Sequence, residues 1–331
     1  MDIRNPYLMF LGDAPDDLAA KVADGVAKWR PDWCKGQLRL EGCRADLGLP
    51  DMTLEEGLAA GCKTLVVGVA NRGGVIPQNW RDSLETALVM GYDIASGLHN
   101  KLADIDTLAS LAREHGRRLF DVRHPTQDFE VAKGSRRPGK RLLTVGTDCS
   151  VGKMFTSLAI HKTMQERGMK ASFRATGQTG IFIAGGGVSV DAVIADFISG
   201  ATEWLCPAND EDHWDVVEGQ GSLFHASFAG VSLGLLHGAQ ADALVLCHEP
   251  TRTHLRGLPD FPLPDLAHCI RVNEEMARMV NPAARVIGVS VNTSKLSADR
   301  QDAVLAEIEK ETGLPTVDAF RQGAGRLVDA L

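Results

Sequence analysis

One stretch in the middle of the chain constrains the fold most strongly. An apolar run over residues 142–145 ends at Gly146, and a short loop of small residues leads to Gly152 and Lys153. Apolar residues with helical spacing follow, and Gly168 offers a stop. This order predicts a strand, a loop and a helix. Backbone N–H groups, the positive end of the helix and the lysine can then converge on one anion, so the stretch predicts a phosphate cradle.

The stretch departs from the Walker A pattern in two places. Five residues, not four, separate Gly146 from Gly152, and Met154 stands where Ser or Thr normally follows the lysine. The methionine removes the hydroxyl that usually holds Mg²⁺, so phosphate binding is expected and the case for ATP hydrolysis is weakened. The alternative is an ordinary turn between a strand and a helix. The predicted cofactor-binding residues are those of the whole stretch: Gly146, Thr147, Asp148, Cys149, Ser150, Val151, Gly152, Lys153 and Met154.

Composition narrows the class of protein. A length of 331 residues favours two domains, and a net charge of −8 argues against nucleic acid or an anionic membrane as a partner. No apolar run approaches the length of a membrane span or a signal peptide. The seven cysteines are scattered without C-x-x-C spacing, which favours reduced thiols and no metal. We therefore expect a cytoplasmic protein with a small-molecule substrate that forms a homodimer or a higher homo-oligomer. Cys149, within the cradle, is either a nucleophile or a small lining residue.

The chain reads as two α/β domains with a linker between them. Residues 1–131 alternate strand-like and helix-like segments, which predicts an open, mostly parallel sheet without the dinucleotide fingerprint G-x-G-x-x-G. Residues 132–141 carry five basic side chains, two glycines and a proline, as an exposed linker does; the same charges could instead attract a polyanion. Residues 142–331 begin with the cradle and form the second domain.

Candidate ligand-binding residues follow the predicted strands, because ligands collect at the carboxyl ends of parallel strands. Arg72 lies beside two glycines and either clamps a carboxylate or belongs to a solvated turn. The loop 176–180 supplies two hydroxyls and an amide, on Thr176, Thr179 and Gln178. Arg252 lies on a polar loop after another strand and is available for carboxylates or phosphates.

A glycine loop at 185–187 precedes a predicted helix whose buried stripe contains Val190, Val193, Ile194 and Phe197. The start of that helix is either a second anion site or a plain connection. Asp191, in its first turn, is a substrate-binding candidate or a complement to the helix dipole.

Two further residues are candidates for proton transfer. Glu218 ends a predicted strand at 214–217 and opens the sequence Glu-Gly-Gln-Gly. An acid at that point beside a phosphate loop can organise a cation or a water molecule, although an exposed acid before a turn is also common. His225 either accepts a proton or is hydrogen-bonded within its loop.

These motifs together resemble known proteins. The stretch from Gly146 to Lys153, followed by Val-Glu-Gly-x-Gly at 217–221, is similar to the P-loop and the corresponding segment of dethiobiotin synthetase. That likeness implies, as the alternative function, an ATP-dependent ligase or kinase of the dethiobiotin synthetase type. ATP with Mg²⁺ would then be the alternative cofactor, with the cation near Asp148 and Glu218 and with Thr156 as a third ligand.

A closer resemblance spans nearly the whole chain. Its motifs are Thr-Asp-Cys at 147–149, Val-Gly-Lys at 151–153, Ala-Thr-Gly-Gln-Thr-Gly at 175–180, Val-Asp-Ala-Val at 190–193, Glu-Gly-Gln-Gly-Ser-Leu at 218–223 and Leu-Leu-His-Gly at 235–238. They resemble a bacterial family formerly of unknown function. This family combines an N-terminal Rossmann-like open sheet with a C-terminal, mostly parallel sheet of the P-loop NTPase type. It includes D-glutamate N-acetyltransferase, which uses acetyl-CoA.

The resemblance implies an acetyl transfer from acetyl-CoA, held by the cradle, to the amine of an acidic amino acid. The catalytic candidates are Glu218 first, then Asp148 and His225, with the backbone of 176–180 stabilising the oxyanion. The substrate-binding candidates are Arg72, Thr176, Gln178, Thr179, Asp191 and Arg252.

Overall fold

The computed structural model describes residues 2–17, 19–69, 76–125 and 127–331. The chain forms two compact units, each built from two separate segments. The first unit consists of Met1–Gln127 and Gly177–Ala192, and the second of Asp128–Thr176 and Val193–Leu331.

The predicted domains, residues 1–131 and 142–331, differ from these units because Gly177–Ala192 packs with the first unit. The predicted linker also differs from an exposed connection at its C-terminal end. Residues 132–136 are exposed, but Arg137 forms an ion pair with Glu203 at 3.3 Å, and Arg141 is buried in a strand. The basic composition of this segment therefore reflects internal contacts as well as solvent exposure.

In the first unit the described strands form a sheet of order β2-β1-β3-β4-β5 in which every pair is parallel. The strands are β1 (Tyr7–Gly12), β2 (Cys34–Arg39), β3 (Thr64–Val67), β4 (Asp93–Ser96) and β5 (Leu119–Asp121). Strands β1, β3 and β4 are buried along their whole length. Burial on both faces is typical of parallel strands, and it explains why β1 and β3 are largely apolar in the sequence, whereas β4 begins at Asp93 and ends at Ser96.

The helices between these strands are α1 (Lys21–Trp29), α2 (Leu54–Ala59), α3 (Gln78–Met90) and α4 (Asp106–Glu114). Helix α2 begins with a capping box, in which the Thr53 side chain accepts from the Glu56 N–H and the Glu56 carboxylate accepts from the Thr53 N–H. The predicted alternation of strands and helices is confirmed, although β2 and α2 are not among the predicted elements.

In the second unit the described strands form a parallel sheet of order β13-β12-β9-β6-β8-β7. Its strands are β6 (Lys140–Gly146), β7 (Ala171–Arg174), β8 (Trp214–Val217), β9 (Ala243–His248), β12 (Arg285–Val291) and β13 (Thr316–Val317). A separate antiparallel pair, β10 (His254–Leu255) and β11 (Leu258–Pro262), lies between β9 and β12 in the chain. Strand β11 contains Pro259 and Pro262, although prolines in a sequence usually indicate irregular chain.

The later helices are α5 (Lys153–Glu166), α6 (Gln178–Ala184), α7 (Ile198–Leu205), α8 (Ala229–Ala239), α9 (Leu266–Arg278), α10 (Ala298–Thr312) and α11 (Gly325–Asp329). Helix α6 belongs to the first unit and the others to the second. Of the helices that the structure describes, none combines the length and apolar character needed to cross a membrane.

The helix predicted after the glycine loop at 185–187 is not present. The chain instead forms two short 3-10 turns, Val190–Ala192 and Ala195–Phe197, and the next α-helix begins at Ile198. Ile194, expected on a buried stripe, is 70% exposed. The proposed anion site at the start of that helix is therefore wrong, since no helix begins there.

The order of the second sheet determines where its loops meet. Strand β6 is central, with β8 on one side and β9 on the other. Strands β7 and β8 are added on one side of β6, and β9, β12 and β13 on the other, so the strand order reverses beside β6. In an open parallel sheet this switch point, at the carboxyl ends of the strands, is where ligands bind. The loops after β6, β8 and β9 all lie at this edge.

Candidate functional site

The predicted cradle is built as strand, loop and helix. Strand β6 ends at Gly146, residues 147–152 form the loop, and α5 begins at Lys153. The loop turns through left-handed conformations at Ser150, with φ of 54°, and at Gly152, with φ of 102°. A residue with a side chain adopts the second conformation only with strain, which explains the glycine directly before the helix.

The side chain of Lys153 turns back and binds the backbone of the loop that precedes it. Its side chain is buried, and Nζ donates a hydrogen bond to the carbonyl oxygen of Asp148 at 2.8 Å. Burial disfavours the charged ammonium and lowers the pKa of Lys153. An anion bound in the loop would supply the negative charge that this buried group lacks.

Arg252 braces the same loop from the other side. Its guanidinium donates from Nη1 to Asp148 Oδ2 at 2.5 Å and to the Cys149 carbonyl at 2.6 Å, and from Nη2 to the Ser150 carbonyl at 2.7 Å. The backbone N–H of Arg256 also donates to Asp148 Oδ2, at 2.8 Å. The Arg252 guanidinium is therefore hydrogen-bonded to the loop, whereas the sequence predicted that it binds substrate carboxylates.

The backbone N–H groups of the loop divide into two sets. Two have acceptors, because Thr147 donates to the Cys247 carbonyl at 3.1 Å and Cys149 donates to Asp148 Oδ1 at 2.6 Å. The N–H of Asp148 and the five on residues 150–154 donate to no acceptor among the residues that the structure describes. Consecutive unused donors at the start of a helix, beside a lysine, form an anion-binding site.

Glu249 supports Arg252. Its side chain is 1% exposed; Oε2 accepts from Arg252 Nε at 3.0 Å and from Lys295 Nζ at 3.1 Å, and Oε1 accepts from the Thr251 N–H at 3.0 Å. Burial opposes ionisation of this carboxyl, but the hydrogen bonds from Thr251, Lys295 and Arg252 together outweigh it and lower its pKa to about 2. Glu249 is therefore ionised and holds the Arg252 guanidinium in position.

His248, at the end of β9, lies against the first residue of the loop. Its Nδ1 is 3.2 Å from Thr147 Oγ1. Burial lowers the pKa of His248 to about 4; the nearby Glu249 carboxylate opposes this shift and Arg252 adds to it. The imidazole is therefore neutral at pH 7.

Glu218 follows β8 and is 3% exposed. Its Oε2 accepts from the Thr176 N–H at 2.9 Å, its Oε1 accepts from Gln220 Nε2 at 3.3 Å, and its own carbonyl accepts from the Thr176 hydroxyl at 2.6 Å. The structure thus brings together two predicted site residues, Glu218 and Thr176. The Thr176 N–H, which was predicted to stabilise an oxyanion, donates instead to the Glu218 carboxylate.

Gly219 fixes the position of Glu218 beside the cradle strand. A Cβ atom at Gly219 would lie 1.7 Å from the backbone oxygen of Thr144 in β6, and the Gly219 N–H donates to Thr144 Oγ1 at 2.9 Å. The first glycine of Glu-Gly-Gln-Gly is therefore required by close contact between two backbones.

Asp148, Cys149 and His225 form a small cluster in which one ligand-type atom from each lies within 4.8 Å of the others. The Asp148 carboxylate already accepts from Arg252, Arg256 and Cys149. His225 donates from Nε2 to the Arg256 carbonyl at 2.9 Å and accepts at Nδ1 from the Ser227 N–H at 3.2 Å. Both nitrogens of His225 are thus in use, which agrees with the alternative of a loop-bound histidine.

The Cys149 thiol is half-buried, and burial raises its pKa. A raised pKa disfavours the thiolate that a nucleophile requires. The environment favours the prediction that Cys149 lines the cradle over the alternative of a nucleophile.

The position of Thr156 bears on the ATP alternative. Its hydroxyl is buried and lies 2.8 Å from the Oγ of Ser290, a residue of β12. A hydroxyl in that position does not replace the Ser or Thr hydroxyl that is absent because residue 154 is Met. The ATP-dependent alternative therefore loses Thr156 as a predicted Mg²⁺ ligand.

Three of the other predicted substrate residues, Gln178, Thr179 and Asp191, belong to the first unit. Gln178 and Thr179 begin α6 in the first unit. Asp191, also in the first unit, accepts from Arg123 at 2.6 Å and from the Ser189 hydroxyl at 2.8 Å. Arg72 lies outside the described residues.

Comparison with known proteins agrees with the fold. Residues 38–125 match a Rossmann-like domain described as a domain of unknown function (DUF1611_N), and residues 130–328 match a P-loop domain described as a domain of unknown function (DUF1611_C). The crystal structure of a DUF1611 family protein from Anabaena variabilis superposes with a TM-score of 0.87 at 33% identity, covering 98% of this chain and 99% of that one.

Two relatives carry a functional name. A protein of Tritonibacter scottomollicae named D-glutamate N-acetyltransferase is 59% identical over 329 residues, and a protein of Pseudoalteromonas sp. with the same name is 49% identical over 328 residues. In both cases the alignment covers 99% of each chain. On the evidence of both domains and of the full length, the chain belongs to the DUF1611 family.

Proposed function

We propose that this protein is a D-glutamate N-acetyltransferase, which transfers an acetyl group to the amine of D-glutamate. The observation that carries the proposal is the 59% identity, over 99% of both chains, to a protein with that name. The second relative, at 49% identity, has the same name and the same coverage. The cradle adds independent support, because an acyl donor with phosphate groups needs an anion site.

The proposed acyl donor is acetyl-CoA. Its pyrophosphate or ribose phosphate suits the five unused N–H groups of residues 150–154 and the Lys153 ammonium. An acetyl transfer cleaves no phosphate bond, so it does not require the Mg²⁺-binding hydroxyl that Met154 replaces.

In this reaction the deprotonated amine of D-glutamate attacks the thioester carbonyl carbon, the carbon–sulfur bond breaks, and CoA leaves with a proton on sulfur. The proton lost by the amine needs an acceptor. Glu218 is our first candidate, because it is a carboxylate at a strand end next to β6. Asp148 ranks second because its carboxylate serves the loop and Arg252. His225 ranks third because both of its nitrogens are engaged.

The substrate carboxylates need cationic or donor side chains. On sequence grounds Arg72 stays the proposed partner for one of them, with Thr176, Gln178 and Thr179 as proposed donors. We no longer assign Arg252 to this role, and the Arg123 contact of Asp191 makes that carboxylate a weaker candidate. Assembly into a homodimer or a higher homo-oligomer stays part of the proposal.

One assay tests the proposal against the ATP-dependent alternative. The purified protein is incubated with acetyl-CoA and either D- or L-glutamate, and in parallel with Mg-ATP, and released thiol and phosphate are measured. We expect thiol release that depends on D-glutamate. Phosphate release without thiol release would support the ATP-dependent alternative, and the absence of both would contradict an enzyme of either class.

A matched pair of lysine variants tests the cradle in the same assay. Lys153→Ala removes the buried ammonium at the loop and is expected to abolish binding of CoA. Lys162→Ala removes an exposed lysine of the same helix, paired at 3.9 Å with Glu166, and is expected to leave binding unchanged. Wild-type affinity in Lys153→Ala would remove the cradle from the proposed mechanism.

A further inference from the structure

Two loops at the carboxyl edge of the second sheet are joined by one buried carboxylate. Asp318, which follows β13, accepts at Oδ2 from the Thr293 N–H at 3.1 Å and from the Thr293 hydroxyl at 2.5 Å. At Oδ1 it accepts from the N–H groups of Phe320 and Arg321, each at 3.1 Å. The main chain of Phe320 is therefore held in place beside the loop that follows β12.

The side chain of Phe320 is 67% exposed although its backbone is fixed. Its ring meets Phe155 edge to face, with a centroid distance of 5.8 Å and an interplanar angle of 87°. Phe155 lies in the first turn of α5, two residues after Lys153, a rise of about 3 Å along the helix. An exposed aromatic ring on a hydrogen-bonded backbone thus lies against the first turn of α5, the helix into which the cradle loop leads.

Asn292 lies beside the cradle and directly precedes Thr293, the residue that Asp318 binds. Its Cβ is 3.9 Å from the position that a Cβ at Gly152 would occupy, and its Oδ1 accepts from the Ser294 N–H at 3.1 Å. The Asn292 Nδ2 donates to no acceptor among the described residues of the chain. The unused amide donor lies at the phosphate site, and its loop is joined to Phe320 through Thr293 and Asp318. An amide donor, an aromatic ring and an anion site are the three kinds of contact that a nucleotide needs.

We propose that Phe320 is the stacking surface for the adenine ring of the phosphorylated carrier held by the cradle, with the Asn292 amide donating to a ring nitrogen. This inference rests on the proposed function for the identity of the carrier. A single exposed phenylalanine is common on protein surfaces. Here the fixed backbone, the contact with the first turn of α5 and the adjoining anion site together select a planar, uncharged ring joined to phosphate. Adenine stacks on aromatic side chains through its face, as other bases do.

The test compares two probes that differ only beyond the pantetheine phosphate. CoA carries the adenosine part, and 4′-phosphopantetheine lacks it. Calorimetric titration of the full-length protein is expected to show that Phe320→Ala weakens CoA binding about tenfold and leaves 4′-phosphopantetheine unchanged. Phe320→Tyr keeps an aromatic face and is expected to retain wild-type affinity. Met279→Ala, at an equally exposed position that precedes β12 rather than following it, is the control.

The outcomes separate this inference from the proposed function. Unchanged CoA affinity in Phe320→Ala, or equal weakening of both probes, would overturn the stacking surface and leave the acetyl transfer intact. If the wild-type protein binds ADP but not CoA, and Phe320→Ala weakens ADP about tenfold, the stacking surface stands and the acetyl-CoA proposal falls. ADP binding that is insensitive to this substitution, or binding of neither nucleotide, would overturn the inference.

Discussion

Arg252 and Glu249 together set the shape of the cradle. The carbonyl groups of residues 148–150 accept from Lys153 and Arg252. Because Arg252 binds the carbonyl oxygens of Cys149 and Ser150, the N–H groups of residues 150–154 and the Lys153 ammonium are left for an anion. A guanidinium suits this role since its planar fork donates in several fixed directions at once, which an ammonium cannot do. Glu249 holds that fork in place and balances its charge.

The ionised state of Glu249 makes stability depend on pH. Its folded-state pKa of about 2 lies below the usual value of 4.5, so the stabilisation is present above about pH 4.5 and is lost as the pH falls toward 2. Glu249→Gln removes the charge and is expected to be about 2 kcal/mol less stable than wild type at pH 7. The difference in the free energy of unfolding between Glu249→Gln and wild type should be smaller at pH 3. Urea unfolding of both proteins at the two pH values measures it.

An exposed glutamate on α10 provides the control for this experiment. Glu311 lies near the end of that helix in contact with solvent, and Glu311→Gln is expected to change the free energy of unfolding by less than about 0.5 kcal/mol at either pH. A constant difference between Glu249→Gln and wild type from pH 7 to pH 3 would show that the Glu249 carboxylate is not the titrating group.

The residues of the site were only partly predictable from the sequence. Glycines and a lysine at fixed spacing predict the loop, because they are local in the chain. The partners Arg252 and Asp148 are 104 residues apart, and no local pattern joins them. Glu249 lay on a polar loop that the sequence analysis had identified, but a carboxylate at a strand end does not reveal whether it faces a ligand or another side chain.

Strand β8, which ends just before Glu218, and Gly219, which follows Glu218, determine where this carboxylate lies. Gly219→Ala would place Cβ 1.7 Å from the Thr144 backbone oxygen, so β6 and the segment after β8 must separate. We expect a loss of about 3 kcal/mol in the free energy of unfolding, together with a lower rate of acetyl transfer. Chemical denaturation and the thiol-release assay measure the two effects.

Gly230 is the matched control for Gly219. It lies in α8, and a Cβ atom there meets nothing within 4 Å. Gly230→Ala is therefore expected to be neutral or to stabilise the protein by up to about 1 kcal/mol, since alanine has the higher helix propensity. Equal stability of the two variants would contradict the close contact at Gly219.

Among the elements, the sequence predicted those whose burial leaves a clear pattern. Strands β1, β6, β9 and β12 are apolar runs because both faces of a central parallel strand are covered. Strand β2 is at the edge of its sheet, and its sequence Cys-Lys-Gly-Gln-Leu-Arg has no such run. The apolar spacing after residue 187 suggested a helix, but the chain there forms two short turns, because apolar spacing does not reveal what a segment packs against.

At the scale of the whole molecule, the chain passes twice from the first unit to the second. It leaves the first unit after Gln127, returns at Gly177–Ala192, and then completes the second. The returning segment is well anchored in the first unit: Ile181, Phe182 and Ile183 are fully buried, and the carbonyls of Phe182 and Ile183 accept from the Tyr7 hydroxyl at 3.3 Å and from Arg30 Nε at 2.8 Å. Neither unit is therefore a continuous piece of chain.

A substitution in this returning segment should destabilise the first unit, although it lies in the second half of the sequence. Phe182→Ala removes a buried ring and is expected to cost about 3–5 kcal/mol, with faster hydrogen exchange in β1 and β3 than in β9 and β12. Leu246→Ala, equally buried in β9, is the control and should give the reverse pattern. Hydrogen exchange measured by mass spectrometry distinguishes the two patterns. If Phe182→Ala instead accelerated exchange mainly in β9 and β12, the assignment of Gly177–Ala192 to the first unit would be wrong.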